Sequence, residues 1–226
     1  MSGYDRDQIN KELKSFGESF YYGQWETDKV IETYFEKGYR GACIEVGASD
    51  GIKGSNTKYF EERGWDVLCI EPNTEHTESL EANRKLVRYF ACGNLNKTEV
   101  LHVFKIGESN TSSSLTSLTP DKRLVEDYSD IINSRHEAQV SVRTLGHILE
   151  NEVGSTSFDN IKKIDFVSVD TEGTEIEVVK GLDLHKYNVK LLVIENNYND
   201  LSVEKYMNAQ GYKKDQRYKI NDFYIK

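Results

Sequence analysis

Apolar and polar positions along this chain follow two periods in turn. Residues 5–21 and 25–37 carry apolar residues at helical spacing, Val30, Ile31, Tyr34 and Phe35 among them, and predict leading helices. The unbroken run "ACIEV" then predicts a buried strand. After it come an amphipathic helix in "NTKYFEERGW" ended by Gly64, a second buried strand in "DVLCIEP", a helix in "TEHTESLEANRKL" and a third strand in "VRYFAC". Alternation of this kind with short loops is the pattern of a parallel, doubly wound α/β sheet.

The alternation is interrupted by "TEVLHVFKIG" (98–107), an extra strand, and by the polar stretch 108–122, "ESNTSSSLTSLTPDK", which predicts a mobile surface loop or a lid over a ligand. It resumes with "VSVRTLGHILE" (strand, then helix), "IDFVSVD" (strand), "TEIEVVKGL" (helix), "VKLLVIE" (strand) and a helix near "LSVEKYMNAQ". The tail "YKKDQRYKINDFYIK" alternates as a closing antiparallel hairpin. Without internal repeats or a linker rich in proline or glycine, the expected organisation is a helical segment over 1–38 packed on one domain, 39–226.

Two strand ends carry the first candidate chemistry. "CIEVGASDG" (43–51) runs from a strand into glycines with the spacing Glu45-x-Gly47-x-x-x-Gly51, unlike the dinucleotide fingerprint G-x-G-x-x-G. Glycines let the backbone turn tightly and approach a ligand. A carboxylate before the first glycine repels a pyrophosphate and suits a cation. Glu71, followed by Pro72, ends the second strand where an acid accepts hydrogen bonds from both hydroxyls of a ribose. Together they predict a positively charged nucleoside ligand, a description that S-adenosylmethionine fits. Further along, Asp170 ends the strand of "DFVSVDTEGTEIEVVKG" and Glu195 ends that of "VIENNYND", so polar groups converge on one sheet edge. A capping box, Thr174-x-x-Glu177, accounts for Glu175 and Glu177 but not for Asp170.

Composition narrows the partners. A formal net charge of −9 argues against nucleic acid. The densest basic stretch, "GYKKDQRYK" (211–219), reads as the guarded edge of a sheet. No apolar run reaches the roughly 20 residues of a membrane span, and the N-terminus lacks a signal-peptide core, so the expected compartment is the cytoplasm. Cys43, Cys69 and Cys92 match no zinc spacing and predict buried thiols. No pattern fixes an oligomeric state.

"QWETD", "IEVGASDGIKGSNT", "GWDVLCIEP", "IDFVSVDTEGTEIEVVKG", "VIENNYN" and the closing "GY…NDFYI" come in an order that resembles the FkbM-type S-adenosylmethionine-dependent methyltransferases, from about Tyr22 to Ile225. The resemblance implies a Rossmann-like class I methyltransferase fold, a mostly parallel seven-stranded sheet with the last strand antiparallel and helices on both faces. It implies O-methylation of a hydroxyl on a sugar, glycan or small metabolite. Carried over by position, Glu45, Gly47, Ala48 and Gly51 line the methionine end of the cofactor, and Glu71 and Pro72 its ribose. Asn56 and Thr57 begin the helix beside the turn, and Ala91 and Cys92 lie near the adenine. Asp170, Glu172 and Glu195 face the transferred methyl and the acceptor, the 98–140 insertion forming part of the acceptor site. Many relatives read "EHN" where this chain has Glu195-Asn196-Asn197, so a histidine base is absent. Asp170 then serves as general base, or Asp170 and Glu195 hold Mg²⁺. The competing classes are an NAD-dependent oxidoreductase or epimerase, which lacks its glycine fingerprint here, and a non-catalytic nucleotide-binding module.

Overall fold

The structure is a computed structural model that describes residues 20–106 and 113–226, so the leading helix expected over 5–21 falls, up to residue 19, outside them. A 3₁₀ turn at Gln24–Glu26 leads into α1 (Thr27–Glu32), β1 (Ala42–Val46), α2 (Lys58–Glu62), β2 (Asp66–Ile70), α3 (Thr77–Asn83) and β3 (Val87–Arg88). An excursion follows: β4 (Ala91–Cys92), β5 (Lys97–Ile106), β6 (Ser113–Ser117), α4 (Lys122–Asp127) and β7 (Ile132–Arg143). The chain then completes α5 (Leu145–Asn151), β8 (Phe166–Val169), α6 (Glu175–Lys180), β9 (Leu191–Glu195), α7 (Leu201–Ala209), β10 (Lys213–Tyr218) and β11 (Asn221–Ile225).

The main sheet has seven strands in the order β10-β11-β9-β8-β1-β2-β3. Only β11 runs antiparallel to its neighbours β9 and β10; the other pairs are parallel. β1, β8 and β9 are buried along their whole lengths because helices cover both faces. Successive side chains alternate between those faces. Ile44, Val46, Val167, Val169, Leu192 and Ile194 pack with α5, α6 and α7. Cys43, Phe166, Leu191 and Val193 pack with α1, α2 and α3 around Phe60 and Trp65. The fold is thus the mostly parallel methyltransferase-type sheet expected. The three cysteines are free and buried, and no described helix is long and apolar enough to cross a membrane.

Two expectations are corrected. "VRYFAC" is not one strand: Val87–Arg88 pairs with β2, whereas Ala91–Cys92 pairs with β7 in a second sheet of order β4-β7-β5-β6. The polar stretch 108–122 is not a bare loop, since Ser113–Ser117 pairs with β5 and α4 begins at Lys122; residues 108–112 lie outside the described part. Serine and threonine satisfy a strand once a neighbour of high β-propensity, here "LHVFKI", offers its edge.

Candidate functional site

The turn after β1 is shaped by close backbone approach. Gly47 lies at φ +84°, and a Cβ built there sits 1.7 Å from the carbonyl oxygen of Asp170. The amides of Gly47 and Ala48 both reach the carbonyl of Ile70 at the end of β2, while that of Asp170 reaches Val46. Three strand ends are thereby clasped. Gly47→Ala, which meets both a left-handed backbone and this carbonyl, is expected to cost about 2 kcal/mol or more; a urea midpoint close to that of the parent protein would contradict it.

Glu71 stands behind the turn. Its buried carboxylate accepts from the amides of Ser49 and Asn73, each at 2.8 Å. Burial raises its pKa to about 7; the two amides oppose that rise and the charges of Asp170 and Glu45 add to it.

Glu45 faces the other way. The alternation of β1 puts its side chain on the face of Cys43, where its carboxylate accepts from Ser55 Oγ, the Asn56 amide, Thr57 Oγ1 and Arg84 Nη1, between 2.7 and 2.9 Å. All four donors are the protein's own, whereas the sequence placed Glu45 against a cationic ligand. Asn56 donates to Ser168 at 3.0 Å, and its buried Oδ1 has no partner as placed; exchanging amide oxygen and nitrogen would let it accept from that hydroxyl. Thr57 is fully buried. Gly51 packs on Arg84, whose Cγ lies 2.9 Å from a Cβ built there. Sequence reasoning missed Arg84, which ties Glu45, Glu61, the Gly51 carbonyl, Ser55 and Thr57 together. A single arginine after an amphipathic helix carries no mark of burial.

On the opposite side of β1 a narrow cavity of about 20 Å³ is lined by Gly47, Pro72, Ala91, Cys92 and Asp170. Leu101, Thr116, Ser117 and Leu118, from the second sheet and the residue after β6, form the rest of its wall. These four were not singled out by the sequence. β6 is held there by Ser114, which meets His76 Nε2 at 3.1 Å and Asn73 Nδ2 at 3.4 Å. His76 is therefore buried, and desolvation lowers its pKa; His136, by contrast, is exposed on β7.

Asp170, Glu172 and Glu195 converge beyond the cavity, with oxygens within 4.8 Å of one another. Burial raises the pKa of all three. Asp170, which a hydrogen bond from Glu195 holds down, stands at about 6, while the neighbouring negative charges push Glu172 and Glu195 well above the usual carboxylate range. Three such groups do not ionise together. Glu172 adopts φ 56°, and its buried Oε2 has no hydrogen-bond partner. The expected capping box is replaced: Glu175 accepts from the amides of Thr171 and Gly173, whereas Glu177 pairs with Lys180 and Asn94. A second cavity of about 220 Å³, lined by Glu172, Glu195, Asn196, Asn197, Tyr198 and Arg123 among others, opens on the far side of the triad. Asn196 is tied to Asp222 and to the amide of Asp200.

A family model described as "Methyltransferase FkbM domain" matches residues 45–214. Two solved structures are similar. One is the human methyltransferase 10 domain containing protein, at 12% identity and a TM-score of 0.41, with 96% of this chain and 90% of that one covered. The other is the N-terminal domain of human METTL16 in complex with SAH, at 14% identity and a TM-score of 0.39, with 89% and 66% covered. No curated protein matches.

Proposed function

Because this chain belongs to the FkbM methyltransferase family, we propose that it moves the methyl group of S-adenosylmethionine to a hydroxyl oxygen of a sugar, glycan or small metabolite. The carrying observation is that Asp170 lines the smaller cavity while its partners Glu172 and Glu195 line the larger. A donor held in one and an acceptor held in the other meet at the triad.

In this reading Gly47, Pro72, Ala91 and Cys92 contact the cofactor, and Glu71 accepts from its ribose hydroxyls. Glu45, with Ser55, Asn56, Thr57 and Arg84, acts through the shape of the turn. Gly51 belongs to that support, and Ala48 holds the turn to β2 through its amide. Methyl transfer from a sulfonium is an in-line displacement: the sulfur–methyl bond breaks as the oxygen–methyl bond forms, and the sulfonium becomes a neutral thioether. Alignment is the main task of the protein. The hydroxyl proton passes to the carboxylate of Asp170, which the protonated Glu195 steadies. Calorimetric titration tests the reading: S-adenosylmethionine and S-adenosylhomocysteine should release binding heat and NAD should not; the reverse result would favour the oxidoreductase class.

Glu71 gives the reading a pH signature. Its folded pKa near 7 lies above the ordinary value, so the neutral form is favoured at low pH, and the stability it brings, full below about 4.5, is lost as pH rises through 7. Cofactor binding runs the opposite way, because a ribose donates best to the ionised form. Affinity for S-adenosylhomocysteine is expected to rise about tenfold between pH 6 and pH 8. Glu71→Gln should flatten this dependence and weaken binding by about 1.5–3 kcal/mol at pH 8; an unchanged profile would remove Glu71 from the ribose.

A second reading rests on the unpartnered Glu172 Oε2 within the triad. Three converging carboxylate oxygens suit a hard divalent cation such as Mg²⁺, held by Asp170, Glu172 and Glu195, which would acidify the acceptor hydroxyl. Loss of activity in EDTA and recovery with Mg²⁺ would select it.

A further inference from the structure

We propose that the larger cavity takes a neutral or amine-bearing polyhydroxyl acceptor and excludes one that carries phosphate or carboxylate. The inference rests on the methyl-transfer reading above and narrows its substrate class.

Six acidic side chains line this cavity, those of Asp121, Glu172, Glu175, Glu177, Glu195 and Asp200; with Glu172 and Glu195 held neutral, four carboxylates face one cation, Arg123. An anion binder needs guanidinium or ammonium donors turned inward. Arg123 is engaged elsewhere: its Nε and Nη2 reach the Asp121 carboxylate at 3.0 and 2.5 Å, and its face lies 3.9 Å over the Tyr198 ring. Its edge and one face are therefore occupied, so the net field in the cavity repels an anion.

The second observation is independent of the charge count. Glu172 Oε2 is shielded from water, has no donor, and belongs to a residue that lines the cavity on a strained backbone. A buried polar atom left unpaired is costly, so the group that fills this place must pair with a carboxyl held neutral. A hydroxyl can do so as donor or as acceptor, whereas an ionised phosphate or carboxylate can only accept and also brings its charge beside the acids of the wall. Tyr198, whose hydroxyl donates to Asp127 at 2.9 Å, and Asn196, held by Asp222 and Asp200, make the wall rigid enough for selection by charge.

The test uses the full chain saturated with S-adenosylhomocysteine and a matched sugar series: methyl glucoside, glucosamine, glucose 6-phosphate and glucuronate. Saturation-transfer NMR should detect the first two at least ten times more strongly than the last two. Equal or stronger signals from the anionic members overturn the proposal, and silence from all four overturns the assignment of a polyhydroxyl acceptor. In a second arm the protein receives methyl-tritiated S-adenosylmethionine and a cell extract, and products pass over an anion exchanger. Label in the flow-through supports the proposal, whereas label retained until phosphatase treatment overturns it. If cofactor binds but no fraction gains label, the methyl-transfer reading fails, and the sugar series still decides the charge preference.

Discussion

Asp170→Asn is expected to lower turnover by about 10²–10⁴-fold, the usual contribution of a general base, with cofactor affinity nearly unchanged. The separation is expected because the backbone of Asp170 performs the structural work: its amide bonds to Val46 and its carbonyl sits against Gly47, and both survive the substitution. What is lost is a carboxylate with a pKa near 6, ionised at neutral pH and hydrogen-bonded to Glu195. Turnover of the parent protein should rise as pH passes through 6 and level off above 7, and the variant should lose that limb. If Asp170 instead only ties the loop down, thermal stability and cofactor binding will fall together with activity. Near-normal turnover would take Asp170 out of the mechanism and turn attention to Glu172 and Glu195.

Arg84→Ala should destabilise the fold by about 3–5 kcal/mol, as expected when one partner of a buried ion pair is removed. The Arg84 side chain is wholly buried and donates to Glu45 and Glu61 at 2.9 and 3.0 Å, to the Gly51 carbonyl and Ser55 hydroxyl at 3.0 Å, and to Thr57 at 2.6 Å. Burial alone would lower its pKa, but neighbouring negative charge, that of Glu45 above all, more than offsets that and keeps it charged. Alanine leaves two buried carboxylates facing each other without a cation. Arg84→Lys keeps the charge but not the planar fork, so an intermediate loss is expected. Urea denaturation gives the numbers; a loss under about 1 kcal/mol for alanine would mean that water reaches the site. Cofactor affinity should fall too, since Gly51 and the Ser55–Thr57 segment would lose their anchor.

The main sheet was legible because β1, β8 and β9 are short apolar runs bounded by turns, and the strand-end acids were legible because each such run closes on one. How near Asp170, Glu172 and Glu195 come to one another was not, since that depends on strand order. The buried partners of Glu45 went unread for a simpler reason. Two-residue alternation through Cys43 and Glu45 already assigns it to the α2 face, but its place before the glycines drew it to the ligand. The division of "VRYFAC" between two sheets has no local signal, because Val87 and Ala91 look alike until β7 arrives more than forty residues later. Arg84 and the wall formed by Leu101 and Thr116 to Leu118 are likewise products of long-range packing.

The second sheet closes on its own base. Ala91 and Cys92 lie beside Val142 and Arg143, so the chain that departs there returns to an adjoining lane before it rejoins the main sheet. A loop whose two ends are already held together tolerates a change of length cheaply, each doubling costing only about 0.6 kcal/mol of closure entropy. The stretch between those anchors can therefore be lengthened, trimmed or grafted from another chain while Glu71, Asp170 and Glu195, which stand on strands outside it, keep their positions. In a catalyst built this way, the ceiling of the chamber is free to diversify while its floor stays fixed.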